Sequence, residues 1–134
     1  MRKPLNPLGQ TEMEVLNEVW DLKEATVAEV QARIQARRKV AYTTVMTVLK
    51  NLCEKGYLTY RKEGVTYVYS AAREANTVKS DLVEGLLDRA FGGAPLDLVQ
   101  ALVRRRPMTE AERQQLRAVL DALDTDERGA DDAD

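Results

Sequence analysis

The 134-residue chain has no histidine and one cysteine, Cys53. The first absence removes the commonest acid–base side chain near neutral pH and the commonest metal ligand. Together they leave zinc and copper sites of the usual kinds without ligands inside one chain. A lone cysteine also makes no internal disulfide, which suits a reducing compartment. No apolar run comes near the roughly 18 residues of a membrane span. The opening MRKPLNPLGQ lacks the apolar core of a signal peptide. No glycine-rich phosphate loop, nucleophile elbow or paired-glycine nucleotide fingerprint is present. The expectation is a cytoplasmic protein that is not an enzyme, calls for no cofactor and has no direct hold on a membrane.

What is present is an uneven distribution of charge. Between Gln31 and Lys62 stand eight basic residues, Arg33, Arg37, Arg38, Lys39, Lys50, Lys55, Arg61 and Lys62, against Glu54 alone, a net +7. Residues 1–30 carry −3 and residues 63–134 carry −6, so the whole chain is −2. A basic segment between acidic flanks attracts a polyanion whatever the total charge. DNA is the leading candidate.

The same segment has the order of a winged helix-turn-helix. Three Thr-x-x-Glu boxes, Thr11–Glu14, Thr26–Glu29 and Thr109–Glu112, read as helix starts. Helix one is expected over about Glu12 to Asp21, with Met13, Leu16, Val19 and Trp20 inward, and helix two over about Val27 to Arg37. Helix three is expected over about Tyr42 to Lys55, burying Val45, Val48, Leu49 and Leu52 with Cys53 beside them, and stopping at Gly56. Alternating stretches Tyr57–Lys62 and Val65–Ser70 around Glu63 and Gly64 read as a hairpin.

After Ala72 the pattern changes to three helices, over about Glu74–Phe91, Pro95–Arg105 and Glu110–Leu123, broken at Gly92, Gly93 and Pro107. Their apolar stripes include Val78, Leu82, Leu86 and Ala90, then Leu98 and Leu102, then Leu116, Val119, Leu120 and Leu123. So short a segment cannot bury those faces alone, and a second copy is the simplest cover. The fold class is therefore mainly α, a winged helix-turn-helix (three helices plus a hairpin wing) over residues 1–72, followed by a three-helix dimerisation domain over residues 73–125. The acidic residues 126–134 are expected to be without structure.

On helix three, the face opposite Val45 and Leu49 carries Thr43, Thr47, Lys50 and Glu54, flanked by Met46 and Asn51. A recognition helix sets such residues against base edges, and the Thr methyl suits the thymine methyl group. One cation on this face points to modest direct readout with A·T pairs tolerated. Arg37, Arg38 and Lys39 before the helix, and Arg61 and Lys62 near the hairpin tip, are placed to hold phosphates, with Tyr42, Tyr60 and Tyr67 adding hydroxyls. Taken singly these features have plainer explanations: a charge run is usually a solvated face, alternating tyrosines usually pack, and Trp20 and Cys53 suit a core. Arg104–Arg106 suits a helix C-terminus. The co-occurrence of basic run, helix and hairpin carries the DNA reading.

The stretch AYTTVMTVLKNLCEKGYLTYRKEGVTYVYSA resembles the recognition helix and wing of the BlaI/MecI penicillinase repressor family, and LGQTEMEVLNEVWDLKEATVAEV resembles its first two helices. The likeness runs from about Leu8 to Ala72; Phe91–Gly93 and the following Leu-Val helix are similar to the dimerisation domain more weakly. The resemblance implies a homodimeric repressor on an inverted-repeat operator with TACA/TGTA half-sites. It places Thr43, Thr44, Met46, Thr47 and Lys50 in the major groove, and Leu82, Leu86, Phe91, Leu98, Leu102, Leu116 and Leu120 in the dimer. It also implies release by cutting within the dimerisation helix, in a pathway begun by a membrane-bound sensor peptidase. The matching place is Ala101–Leu102, where the family has Asn-Phe, and Asn51 stands where the family often has Arg. The copper-responsive relatives have a Cys-rich metal hook that this chain lacks.

Two rival readings have specific requirements. A small-molecule-responsive winged-helix regulator needs a polar group among the C-terminal apolar stripes, and none stands there. A winged-helix protein–protein adaptor has no use for a +7 segment.

Overall fold

The computed structural model describes residues 8–132, with side chains through residue 124. Its elements are α1 (Gln10–Leu22), β1 (Glu24–Ala25), α2 (Val27–Gln35), α3 (Tyr42–Glu54), β2 (Leu58–Glu63), β3 (Thr66–Ala71), α4 (Ala75–Phe91), α5 (Pro95–Arg105) and α6 (Glu110–Asp132). Two compact units divide the chain, the first ending at Leu86 and the second beginning at Leu87. No helix among the described residues is long and apolar enough to cross a membrane.

In the first unit the three helices close on one core. Val15, Leu16 and Val19 of α1, Val30 and Ile34 of α2, and Val45, Leu49 and Leu52 of α3 are fully buried. Trp20 is buried beside them, with Lys79 Nζ 5.5 Å from its ring centroid. Truncating a fully buried Leu such as Leu49 to Ala removes about 2–5 kcal/mol, a large part of the stability of a domain this size.

Capping fixes where the helices begin. Thr26 Oγ1 accepts from the Glu29 N–H (3.2 Å) while the Thr26 N–H donates to Glu29 Oε1 (3.0 Å). Thr109 and Glu112 repeat the arrangement at α6. The expected Thr11–Glu14 box is not the one used. The chain turns two residues earlier: Gly9 is the N-cap of α1 and its N–H donates to Glu12 Oε1 at 3.0 Å. Glu14 is thereby free to face α2. Helix α3 ends in a Schellman motif: Tyr57 N–H donates to the Leu52 carbonyl (2.9 Å) and Gly56 N–H to Cys53 (3.1 Å), with Gly56 at φ +86°.

The wing is larger than the expected hairpin. β3 lies at the centre of a three-stranded antiparallel sheet in the order β1-β3-β2, with Glu24 opposite Ser70 and Ala25 opposite Tyr69. A two-residue strand leaves no alternating pattern to detect, so β1 has no signature of its own in the sequence.

The first compact unit also runs past residue 72. Val78 is fully buried in the winged-helix core and Leu82 packs against it half-buried, so both positions make contacts within the first unit. Among the residues whose side chains are described, none of the second unit is buried. No residue of α5 is buried, and Leu96, Leu102, Leu120 and Leu123 are all more than half exposed. Helix α6 continues to Asp132, through most of the acidic segment expected to lack structure. That stretch has no proline to stop it, and α6 begins from a complete capping box. Residues 133–134 lie outside the described residues.

Candidate nucleic-acid interface

Helix α3 sorts its side chains by the 3.6-residue period. Val45, Val48, Leu49 and Leu52 point inward, while Thr43, Thr44, Met46, Thr47, Lys50 and Asn51 are exposed. The face expected to read bases is therefore free, a row of hydroxyl, methyl and thioether groups with a single ammonium. Cys53 is half-buried, and burial pushes its thiol pKa up, so it behaves as a packing residue.

The wing divides its residues between two faces. Tyr60 lies opposite Tyr69 and Lys62 opposite Tyr67, so these four share one face. Tyr60 and Tyr67 meet edge-to-face at 5.2 Å, and Lys62 Nζ sits 5.9 Å from the Tyr67 ring centroid. Tyr69 is buried, whereas Tyr60 and Tyr67 are exposed. Arg61 points to the opposite face. There it donates to both oxygens of Glu24, each at 2.9 Å, and to Glu63 Oε1, also at 2.9 Å. The guanidinium holds the Glu24 carboxyl below its usual range, and the two carboxylates push Arg61 up.

A second set of ion pairs lies between α1 and the end of α2. Arg33 pairs with Glu18 (2.8 Å) and Asp21, Arg37 with Glu14 (2.9 Å) and Glu18 (3.1 Å), and Arg38 with Glu14. α2 ends at Gln35, two residues before the expected Arg37, which places Arg37 and Arg38 in the turn. Of the cations expected to contact phosphate, then, Arg37, Arg38 and Arg61 are already neutralised within the chain. Lys39 and Lys62 pair with no carboxylate among the described residues, nor does Lys50 on α3. Sequence reasoning missed the acidic partners. Their signal was the spacing Glu14, Glu18, Asp21, which places three carboxylates along one stripe of α1.

Positions expected in a dimer fall in three classes. Leu82 is engaged by the first core, Phe91, Leu98 and Leu116 are half-buried, and Leu86, Leu102 and Leu120 are exposed. Ala101 and Leu102, at the place matching the family's cut, lie inside α5.

The family model described as penicillinase repressor matches residues 8–122. The chain belongs to the penicillinase repressor family. The penicillinase repressor of Staphylococcus aureus is 24% identical over 116 residues, covering 87% of this chain and 92% of that protein. The transcriptional regulator BlaI of Mycobacterium tuberculosis is 34% identical over 91 residues, 67% of this chain and 63% of its own. Monomeric Bacillus licheniformis BlaI, solved in complex with the blaP half-operator, is 26% identical and matches 57% of this chain and 92% of its own, with a TM-score of 0.47. Family and fold are those of a DNA-binding transcriptional repressor and not of an enzyme.

Proposed function

We propose that the chain acts as a homodimer on an inverted-repeat operator with TACA/TGTA-like half-sites, each half-site read by one α3. The carrying observation is that α3 buries Val45, Val48, Leu49 and Leu52 while leaving Thr43, Thr44, Met46, Thr47 and Lys50 in solvent. Hydroxyl and methyl groups suit A·T-rich base edges, and Lys50 suits guanine or a phosphate. Lys39, Lys62, Tyr42 and Tyr67 supply the backbone contacts that fix register.

The dimer follows from the second unit. Leucines more than half exposed on α5 and α6 leave apolar surface that a second copy would remove from water, at about 25 cal/mol per Å². Pairing joins two modest half-site affinities, because the second half-site then binds at high effective concentration. Recognition helices about 34 Å apart, one turn of DNA, meet successive major grooves.

Release occurs when α5 is cut or loosened at Ala101–Leu102. A peptidase binds extended backbone, so the bond must first leave the helix, and α5 has no buried side chain of its own to resist this. The reading heads stay intact while the coupling between them is lost. The test is a chain shortened to residues 1–86, the first compact unit. It is expected to bind one half-site as the full chain does and to lose most affinity for the paired site. Equal affinity of fragment and full chain for the paired site would overturn the dimer mechanism.

A further inference from the structure

We infer that Glu14 is an internal stand-in for a DNA phosphate, holding Arg38 away from the duplex and thereby limiting sequence-independent binding; the inference rests on the DNA-binding reading above. Phosphate and carboxylate compete for the same planar fork of guanidinium donors. Glu14 Oε1 accepts from Arg38 Nε at 3.1 Å and also pairs with Arg38 Nη2, while Glu14 Oε2 accepts from Arg37 Nε at 3.0 Å. The Glu14 side chain is 17% exposed and that of Arg38 is 45% exposed. Arg38 is thus within reach of solvent yet already neutralised.

Among the described residues Arg38 has one carboxylate partner, unlike Arg33, Arg37 and Arg61, which have two each. Arg33 has Glu18 and Asp21, Arg37 has Glu14 and Glu18, and Arg61 has Glu24 and Glu63. The other acceptor of Arg38 is the Lys39 carbonyl at 3.4 Å. Removing one negative charge, at Glu14, therefore frees one whole arginine beside the recognition helix. In the native chain Arg38 can reach a phosphate only by giving up Glu14, which would keep Arg37 as its one cationic partner while standing next to a polyanion, and this opposes the exchange. The turn then offers DNA the charge of Lys39 in place of three cations. Since phosphate contacts carry no sequence information, withholding them favours the base contacts of α3.

The experiment compares full-length wild type, Glu14→Gln, Arg38→Ala and the double variant. Each is titrated onto an inverted-repeat duplex and a scrambled duplex over a range of salt concentrations. Glu14→Gln is expected to bind the scrambled duplex roughly eightfold more tightly at 0.1 M salt, with a log–log salt slope steeper by about 0.9. Its preference for the repeat falls. Arg38→Ala alone keeps the wild-type slope, and the double variant returns to it. A wild-type slope in Glu14→Gln overturns the inference, and so does a flattened slope in Arg38→Ala alone. The second arm holds even where Gln at position 14 loosens the tie between α1 and α2. Wild type that binds neither duplex overturns the DNA-binding reading itself, whereas wild type that binds with all variants alike overturns only the role of Glu14.

Discussion

Arg61 reaches across β3 to Glu24, donating from Nη1 and Nη2 to the two carboxylate oxygens at 2.9 Å each. Its neighbour Lys62 lies on the other face with Tyr60 and Tyr67. Two adjacent cations thus have different work, one tying the wing to the edge strand β1 and one facing outward. Lys62→Ala is expected to weaken binding to all duplexes and to flatten the salt slope by about 0.9, the share of one phosphate. Arg61→Ala leaves that slope within half this amount. Fluorescence anisotropy against salt reads both, and equal slopes in the two variants would refute the division.

Helix α3 is expected to carry sequence preference through Thr47 and Lys50, both exposed on its outer face. Thr47→Ala and Lys50→Ala should each narrow the gap between repeat and scrambled duplex, by about 1–3 kcal/mol where a specific base contact is lost. Sedimentation velocity should show the association state unchanged. Loss of self-association, or an unaltered preference, would remove this face from the reading head.

Two carboxyls of α1 are held below their ordinary range. Lys55 Nζ, 2.9 Å from Glu12, and then the Gly9 N–H lower Glu12, while Arg38 and then Arg37 lower Glu14. A group whose folded pKa is depressed contributes stability that is fully present above the unfolded carboxylate value of about 4.3. That contribution is lost as pH falls through the lower folded value. The urea midpoint of the wild type is expected to drop from pH 6 to pH 3, and Glu12→Gln to shrink the drop. An identical pH dependence in the variant would show that Glu12 contributes nothing to it.

Gly56 turns the chain from α3 into the wing at φ +86°, a region that opposes a Cβ, with no neighbouring atom within 4 Å to clash. Gly56→Ala therefore tests backbone conformation alone. It should cost about 1–2 kcal/mol, read as a lower urea midpoint at constant m-value. No change in the midpoint would mean that the Schellman turn adapts freely.

The order of the elements was legible in the sequence because amphipathic periodicity and capping boxes are local. Val45, Val48, Leu49 and Leu52 point inward as their spacing requires, and Thr26–Glu29 caps as its spacing requires. What was not legible depends on tertiary geometry. Nothing local tells Arg61 that Glu24, 37 residues earlier, will lie across the sheet from it. Nor does the run Arg37–Arg38–Lys39 reveal that two of its three cations meet Glu14 on α1. The net charge of a segment sets its far field, but the partners of each side chain decide which charges remain available. Val78 makes the same point for packing: its stripe on α4 is apolar throughout, and only the fold assigns it to the first core.

The most direct test of the central claim is a titration of the full-length protein onto a duplex with a TACA/TGTA inverted repeat and onto a scrambled duplex, at several salt concentrations. The predicted result is two chains per repeat, clear preference for the repeat and a steep salt slope. Equal and weak binding to both duplexes would contradict the proposed operator and the reading of its half-sites by α3.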